Sequence, residues 1–290
     1  MLMKCHRSIP LAITVMFFAL PVASADWSTP SATQSVSAPK ADPSVPADLR
    51  DTVVDATVKG FLLYRNDTAS AIASDTMVDS GALKEVAHPT GWLTNSEDAA
   101  GDLWSVAFTE DKDGKPYAFA DATVQFVDGK PRVSFHRNKP ARPIAGTEAI
   151  EVQVRDLAMK VNVLRCAPQY NQAVMLWQEH GNLFANVDLL PARTDADTYY
   201  LGGFHELRYT LKGDAPPSHF AQTKSCITVT KEPANSVAMV VTHLTSPTPT
   251  QFHVFMSLSY HKTIYVLTTQ NHLKWAVEAG HIRIVKEDKS

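Results

Sequence analysis

Glycine, cysteine and basic charge are all in short supply in this chain, and each shortage excludes something. With 12 glycines in 290 residues, it has no glycine-rich loop of the kind that cradles phosphates. It also lacks the Gly-x-Ser-x-Gly elbow that presents a serine nucleophile. No cofactor motif is present, and no cofactor is expected. Lysine and arginine number 27 against 30 acidic residues. A chain without a dense cationic face is not built to grip nucleic acid, and it has no polybasic patch for anionic lipid. After residue 25 no unbroken apolar run approaches the roughly 20 residues that a membrane helix needs, so no span is expected in the mature chain.

What is present begins with an address. Lys4 and Arg7 supply a short positive head, residues 9–20 are apolar apart from Pro10 and Thr14, and Ala23-Ser24-Ala25 ends the run with small side chains. That layout reads as a secretory signal peptide over residues 1–25, with a mature chain starting near Asp26 in a secreted or periplasmic location. No cysteine follows the apolar run, so a lipid anchor there is not expected. Of the three cysteines, Cys5 leaves with the signal, which leaves Cys166 and Cys226. In an oxidising compartment such a pair reads as a disulfide. The two thiols are far apart in sequence and form no Cys-x-x-Cys, so the expected role is structural rather than redox.

Residues 26–46 carry Pro30, Pro39, Pro43 and Pro46 among Ser, Thr and Ala, and read as a disordered tether. A helix is expected from Pro46, with Ser44 as its cap and Leu49, Val53, Ala56, Gly60, Leu63 and Tyr64 on one face. Whether it runs on through Thr68–Ser80 is open. From Leu103 the period changes to two, with Asp113-Gly114 and Asp128-Gly129 as hairpin turns. Residues 47–143 are therefore expected to form an N-terminal α+β unit.

A second α+β unit, 144–290, holds the disulfide. Thr147 is expected to cap a helix bearing Ile150, Val154, Leu157, Ala158 and Val161. Strands are expected over Val174–Gln178, over 183–189 after a Glu179–Asn182 turn, and from Tyr199 to Leu211 with a bulge or close approach at Gly202-Gly203. Val237–Leu244 reads as a central strand, and 252–260 as a strand with Phe252, Val254, Met256, Leu258 and Tyr260 on one face. Strands at 264–267, 273–277 and 282–285 complete it. The fold class is thus α+β: two successive helix-plus-antiparallel-meander units, the C-terminal part mostly β.

Candidate chemistry is sparse. Eight of the eleven histidines fall after residue 179. His253 and His261, eight residues apart on an extended strand, are about 26 Å distant and cannot share an ion; His243 and His253 are a plausible cross-strand pair, still short of a metal site, and none is expected. His205-Glu206 starts like a zincin motif, but Tyr209 stands where the second histidine belongs. Together with Glu179 and His180 these residues form a weak acid–base set that needs the fold to unite them. Asn66-Asp67-Thr68 matches a glycosylation acceptor but falls in the expected helix. Phe255, Tyr265 and His253 lie opposite their strands' apolar stripes, a row that either binds a protein or glycan or is covered by a second layer.

The expectation is an exported, non-enzymatic binding or envelope-associated protein of unknown ligand. The rivals are a secreted hydrolase or metal-dependent enzyme using the His180/His205/Glu206 region, and a structural assembly module.

Overall fold

Helix α1 spans Arg50–Asp79 in the computed structural model, which describes residues 40–193, 195, 197–212, 216–231 and 236–286. It follows a 3-10 turn at Ala47–Leu49. Ser44 does not cap it; its hydroxyl accepts the Ile284 backbone N–H instead. The last residues of the expected tether are also packed, with Val45 buried in the main core, while 26–39 lie outside the described residues. The Thr68–Ser80 stretch continues the helix, because Ala69, Ala73 and Met77 extend the buried row begun by Val53, Ala56 and Leu63.

Strands β1 (Pro89–Ser96), β2 (Leu103–Lys112), β3 (Lys115–Val127) and β4 (Lys130–Pro143) form an antiparallel meander in that order. Both expected hairpin turns are made, with Asp113, Gly114, Asp128 and Gly129 all at positive φ. Trp104, Val106 and Phe108, with Ala120, Ala122, Val124 and Phe126, turn one face onto the C-terminal half of α1. Strand β1 has no sequence counterpart above, since Pro89-Thr90-Gly91 interrupts any alternation. Helix α2 (Thr147–Ala158) follows; Gly146, not Thr147, is its N-cap residue. Its buried Glu151 accepts the Thr94 backbone N–H at 3.2 Å and the Asn95 side-chain amide at 3.1 Å. These two bonds fasten α2 to β1.

A second meander is built from β5 (Tyr170–Glu179) and β6 (Asn182–Pro191). The expected Tyr199–Leu211 strand is broken in two. Strand β7 (Thr198–Tyr200) leaves to pair with β10 (Thr228–Thr230), while β8 (His205–Thr210) pairs with β6 and with β9 (Ser218–Ala221). The break falls at Gly202-Gly203. Gly203 has φ +86, and a Cβ there would stand 2.6 Å from the Cys166 Cβ. Val187, Leu189 and Leu207 on one face of this sheet bury Val154 and Ala158 of α2.

The last sheet is β11 (Ala238–His243), β12 (Thr263–Thr268), β13 (Lys274–Glu278) and β14 (His281–Ile284), in that order. Two expectations fail here. Strand β11 is an edge strand, not a central one, and pairs in parallel with β12. The segment expected as a strand at 252–260 is helix α3 (Gln251–Tyr260), the crossover that a parallel pair requires. Alternation misled because α3 is buried on nearly every side, from Phe252 through Ser257, so no amphipathic stripe marks it. Its signature is instead the Thr250–His253 capping box behind Pro247 and Pro249.

Among the described residues, three α-helices and four sheets make an α+β fold whose C-terminal part is rich in strand. Helix α1 serves two cores. Its C-terminal half packs on the first meander, and its N-terminal half packs with α3 on the last sheet. None of the described helices is long and apolar enough to cross a membrane.

Candidate functional site

The four residues of the expected acid–base set do not converge. Glu179 and His180 sit at the tip of the β5–β6 hairpin, where the His180 side chain is 90 % exposed and its Nδ1 lies 3.8 Å from Glu179 Oε1. His205 and Glu206 are consecutive on β8, so they point to opposite faces of the sheet. Glu206 faces α1 and α3, where it accepts the Gln251 side-chain amide at 2.6 Å. Beneath it Asp188, directly opposite on β6, is fully buried, with the Gln251 side-chain amide as a weak partner. Burial and then the Glu206 charge push the Asp188 carboxyl well above its ordinary range. Burial also raises Glu206.

The expected binding row is taken apart in the same way. Phe255 is buried in α3 against Phe204. His253 is buried too, its Nδ1 accepting the Thr250 backbone N–H at 3.0 Å. Its ring stands edge-on to His243 with centroids 4.8 Å apart. Burial holds His253 well below the usual histidine range and brings His243 down to about 4. Both are neutral core groups. Only Tyr265 faces outward, on a groove of about 590 Å³ beside Val237, Leu258 and Glu278. Asn66, in the glycosylation pattern, is buried with its side-chain amide on the Thr94 carbonyl. Among the described residues no three His, Cys, Asp or Glu side chains are grouped to hold a metal ion.

A different constellation does form, around the disulfide. Cys166 and Cys226 are bonded and tie the segment after α2 to the loop after β9. Tyr170 braces this corner, accepting the Cys166 N–H at 2.7 Å and donating to the Gly203 carbonyl at 3.0 Å. The result is a groove of about 520 Å³ lined by Val163, Leu164, His205, His219, Thr223, Lys224 and Thr245, among others. His205 Nε2 is 2.7 Å from the Leu164 carbonyl oxygen, and His205 Nδ1 is 3.1 Å from His219 Nε2. A carbonyl only accepts, so His205 carries its proton on Nε2 and its Nδ1 receives the His219 N–H. Burial lowers the His205 pKa, and the nearby His219 and Arg165 lower it further against the Leu164 bond.

The groove's hydroxyls are occupied as well. Thr223 Oγ1 donates to the Ser225 carbonyl at 2.8 Å, and Thr245 Oγ1 donates to the Gln222 carbonyl at 3.0 Å. Thr245 Oγ1 also lies 3.4 Å from His243 Nε2, but its proton goes to the nearer Gln222 carbonyl and burial lowers the His243 pKa to about 4, so this contact is a poor nucleophile–base pair. Among the described residues no carboxylate lines the groove. Of its residues, the sequence singled out His205 as an acid–base candidate and held His219 only among the eight C-terminal histidines. The signal for the rest lay in the cysteines: Leu164 and Lys224 each stand two places before a disulfide partner, so the bond brings them together.

No protein-family model, curated protein or solved structure matches this chain, so function has to be argued from geometry.

Proposed function

We propose that this is an exported, non-enzymatic binding protein whose site is the groove beside the disulfide. The observation that carries this reading is the state of the groove's polar groups. Both threonine hydroxyls donate to backbone carbonyls, and the inner histidine is held between a carbonyl and a second histidine. Such groups are pre-oriented for recognition and poorly placed for proton abstraction or nucleophilic attack. The positive head and apolar run at residues 4–20 and the disulfide support delivery to an oxidising compartment. A soluble small molecule, a glycan or a segment of a protein partner would each meet the same lining.

The test is a fragment screen on the mature chain beside an Ala221→Trp variant, in which an indole fills the groove. Fragments that bind the wild type and not the variant support the reading. Turnover of model esters, phosphoesters or glycosides above background, or fragment binding unaffected by Ala221→Trp, overturns it.

A further inference from the structure

Among the described residues the groove's lining holds basic and imidazole groups and no acidic one. Its ionisable lining is His205, His219 and Lys224, and Arg165 stands close enough to act on His205 from the segment after α2. Against these, Val163, Ala221 and Leu164, which is 45 % exposed, supply an apolar floor. We propose that the groove binds a small organic anion, an acidic head on a short apolar tail, and that the histidine pair takes up one proton as it binds. This rests on the binding reading above and specifies its ligand.

The proton count follows from the hydrogen bonds. His205 Nε2–H is committed to the Leu164 carbonyl, and His205 Nδ1 is the acceptor for His219 Nε2–H. A proton placed on His205 Nδ1 would set two N–H groups against each other. The one nitrogen of the pair that gains a proton without breaking either bond is His219 Nδ1, on the exposed ring. The pair therefore holds at most one added charge, and holds it on the groove side of β9. An anion seated against His219 and Lys224 interacts more favourably with the charged pair than with the neutral one, so binding and protonation favour each other by linkage. The same bonds leave the pair one lone pair to offer, too few to hold a metal ion.

Titrating the mature protein with hexanesulfonate, whose charge is constant with pH, isolates the protein's own proton. Hexylammonium and hexanol serve as the cationic and neutral counterparts. The expected result is selective binding of hexanesulfonate, tightening about 3- to 10-fold from pH 7.5 to 5.5, where histidine changes charge. His219→Asn should abolish the pH dependence, and Lys224→Ala should weaken binding about 3- to 10-fold at both pH values, the scale of one exposed charge contact. Equal affinity for hexylammonium, or a pH dependence surviving His219→Asn, overturns the inference. If only hexanol and hexylammonium bind in the groove, the anion preference falls and the binding reading stands. If no probe binds there, both fall.

Discussion

Glu151 and His243 set opposite slopes on the stability of this protein, and substituting one should reveal the other. Burial raises Glu151 from 4.5 to about 7, against the opposing charge of Arg155. Between those values the native state holds a proton that the unfolded chain has lost, so stability falls as pH rises through the window. His243 runs the other way. Burial lowers it from 6.5 to about 4, so the unfolded chain binds the extra proton and stability falls as pH drops through its window. Each shift spans roughly 2.5 units, or about 3 kcal/mol at its full extent. Where the two windows overlap, from about pH 4.5 to 6.5, they nearly cancel. Glu151→Gln keeps an acceptor for the Thr94 N–H and removes the titration. Urea unfolding followed by far-UV circular dichroism should show wild type and variant close at pH 4.5. The variant should then gain by up to about 3 kcal/mol as pH rises to 8. His243→Gln should gain on the wild type as pH falls from 6.5 to 4. Asp67, Asp188 and Glu206 are also raised and His205 and His253 also lowered, but they are common to wild type and Glu151→Gln and drop out of that difference; in His243→Gln the neighbouring His253 is relieved of the His243 charge as well. A Glu151→Gln profile running parallel to wild type at every pH would refute the reasoning.

Gly60 is where α1 and α3 touch: a Cβ there would stand 2.4 Å from the Val254 Cβ and 2.6 Å from the Gln251 carbonyl oxygen. Gly60→Ala gains about 1 kcal/mol of helix propensity, yet neither neighbour is a flexible tip that can swing aside, so a net loss of about 1–3 kcal/mol is expected in urea unfolding. A more stable variant would mean the helices do not approach this closely. Replacing both Cys166 and Cys226 by Ser opens a loop of sequence separation 60 and should cost up to about 4 kcal/mol; an unfolding midpoint indifferent to reductant in the wild type would contradict it. Thr250→Ala removes the side-chain half of the α3 capping box and should lower stability by about 1 kcal/mol in the same assay.

Local rules carried the sequence reading far where one face of an element meets water. The hairpins at Asp113-Gly114 and Asp128-Gly129, the alternation of Trp104, Val106 and Phe108, and helix α2 are each specified by residues close together in the chain. The reading failed where burial is complete. In α3, Phe252 to Met256 are apolar or buried without a break, so a period of two and a period of 3.6 fit equally well. The same ambiguity left open whether Phe255 and His253 faced a ligand or a second layer; both are buried. The groove was illegible for another reason. Its residues come from 162–164, 205, 219–221, 223–224 and 245, and only the covalent bond between two of those neighbourhoods announces that they meet.

Because α1 is a beam under two floors, the protein should not come apart into separately useful halves. A fragment beginning at residue 144 would lose Val53, Ala56 and Leu63 and bare the flank of α3 that they cover. Any trimmed version for crystallisation or display should therefore keep everything from Lys40 onward, with Val45 and the Ser44–Ile284 clasp intact.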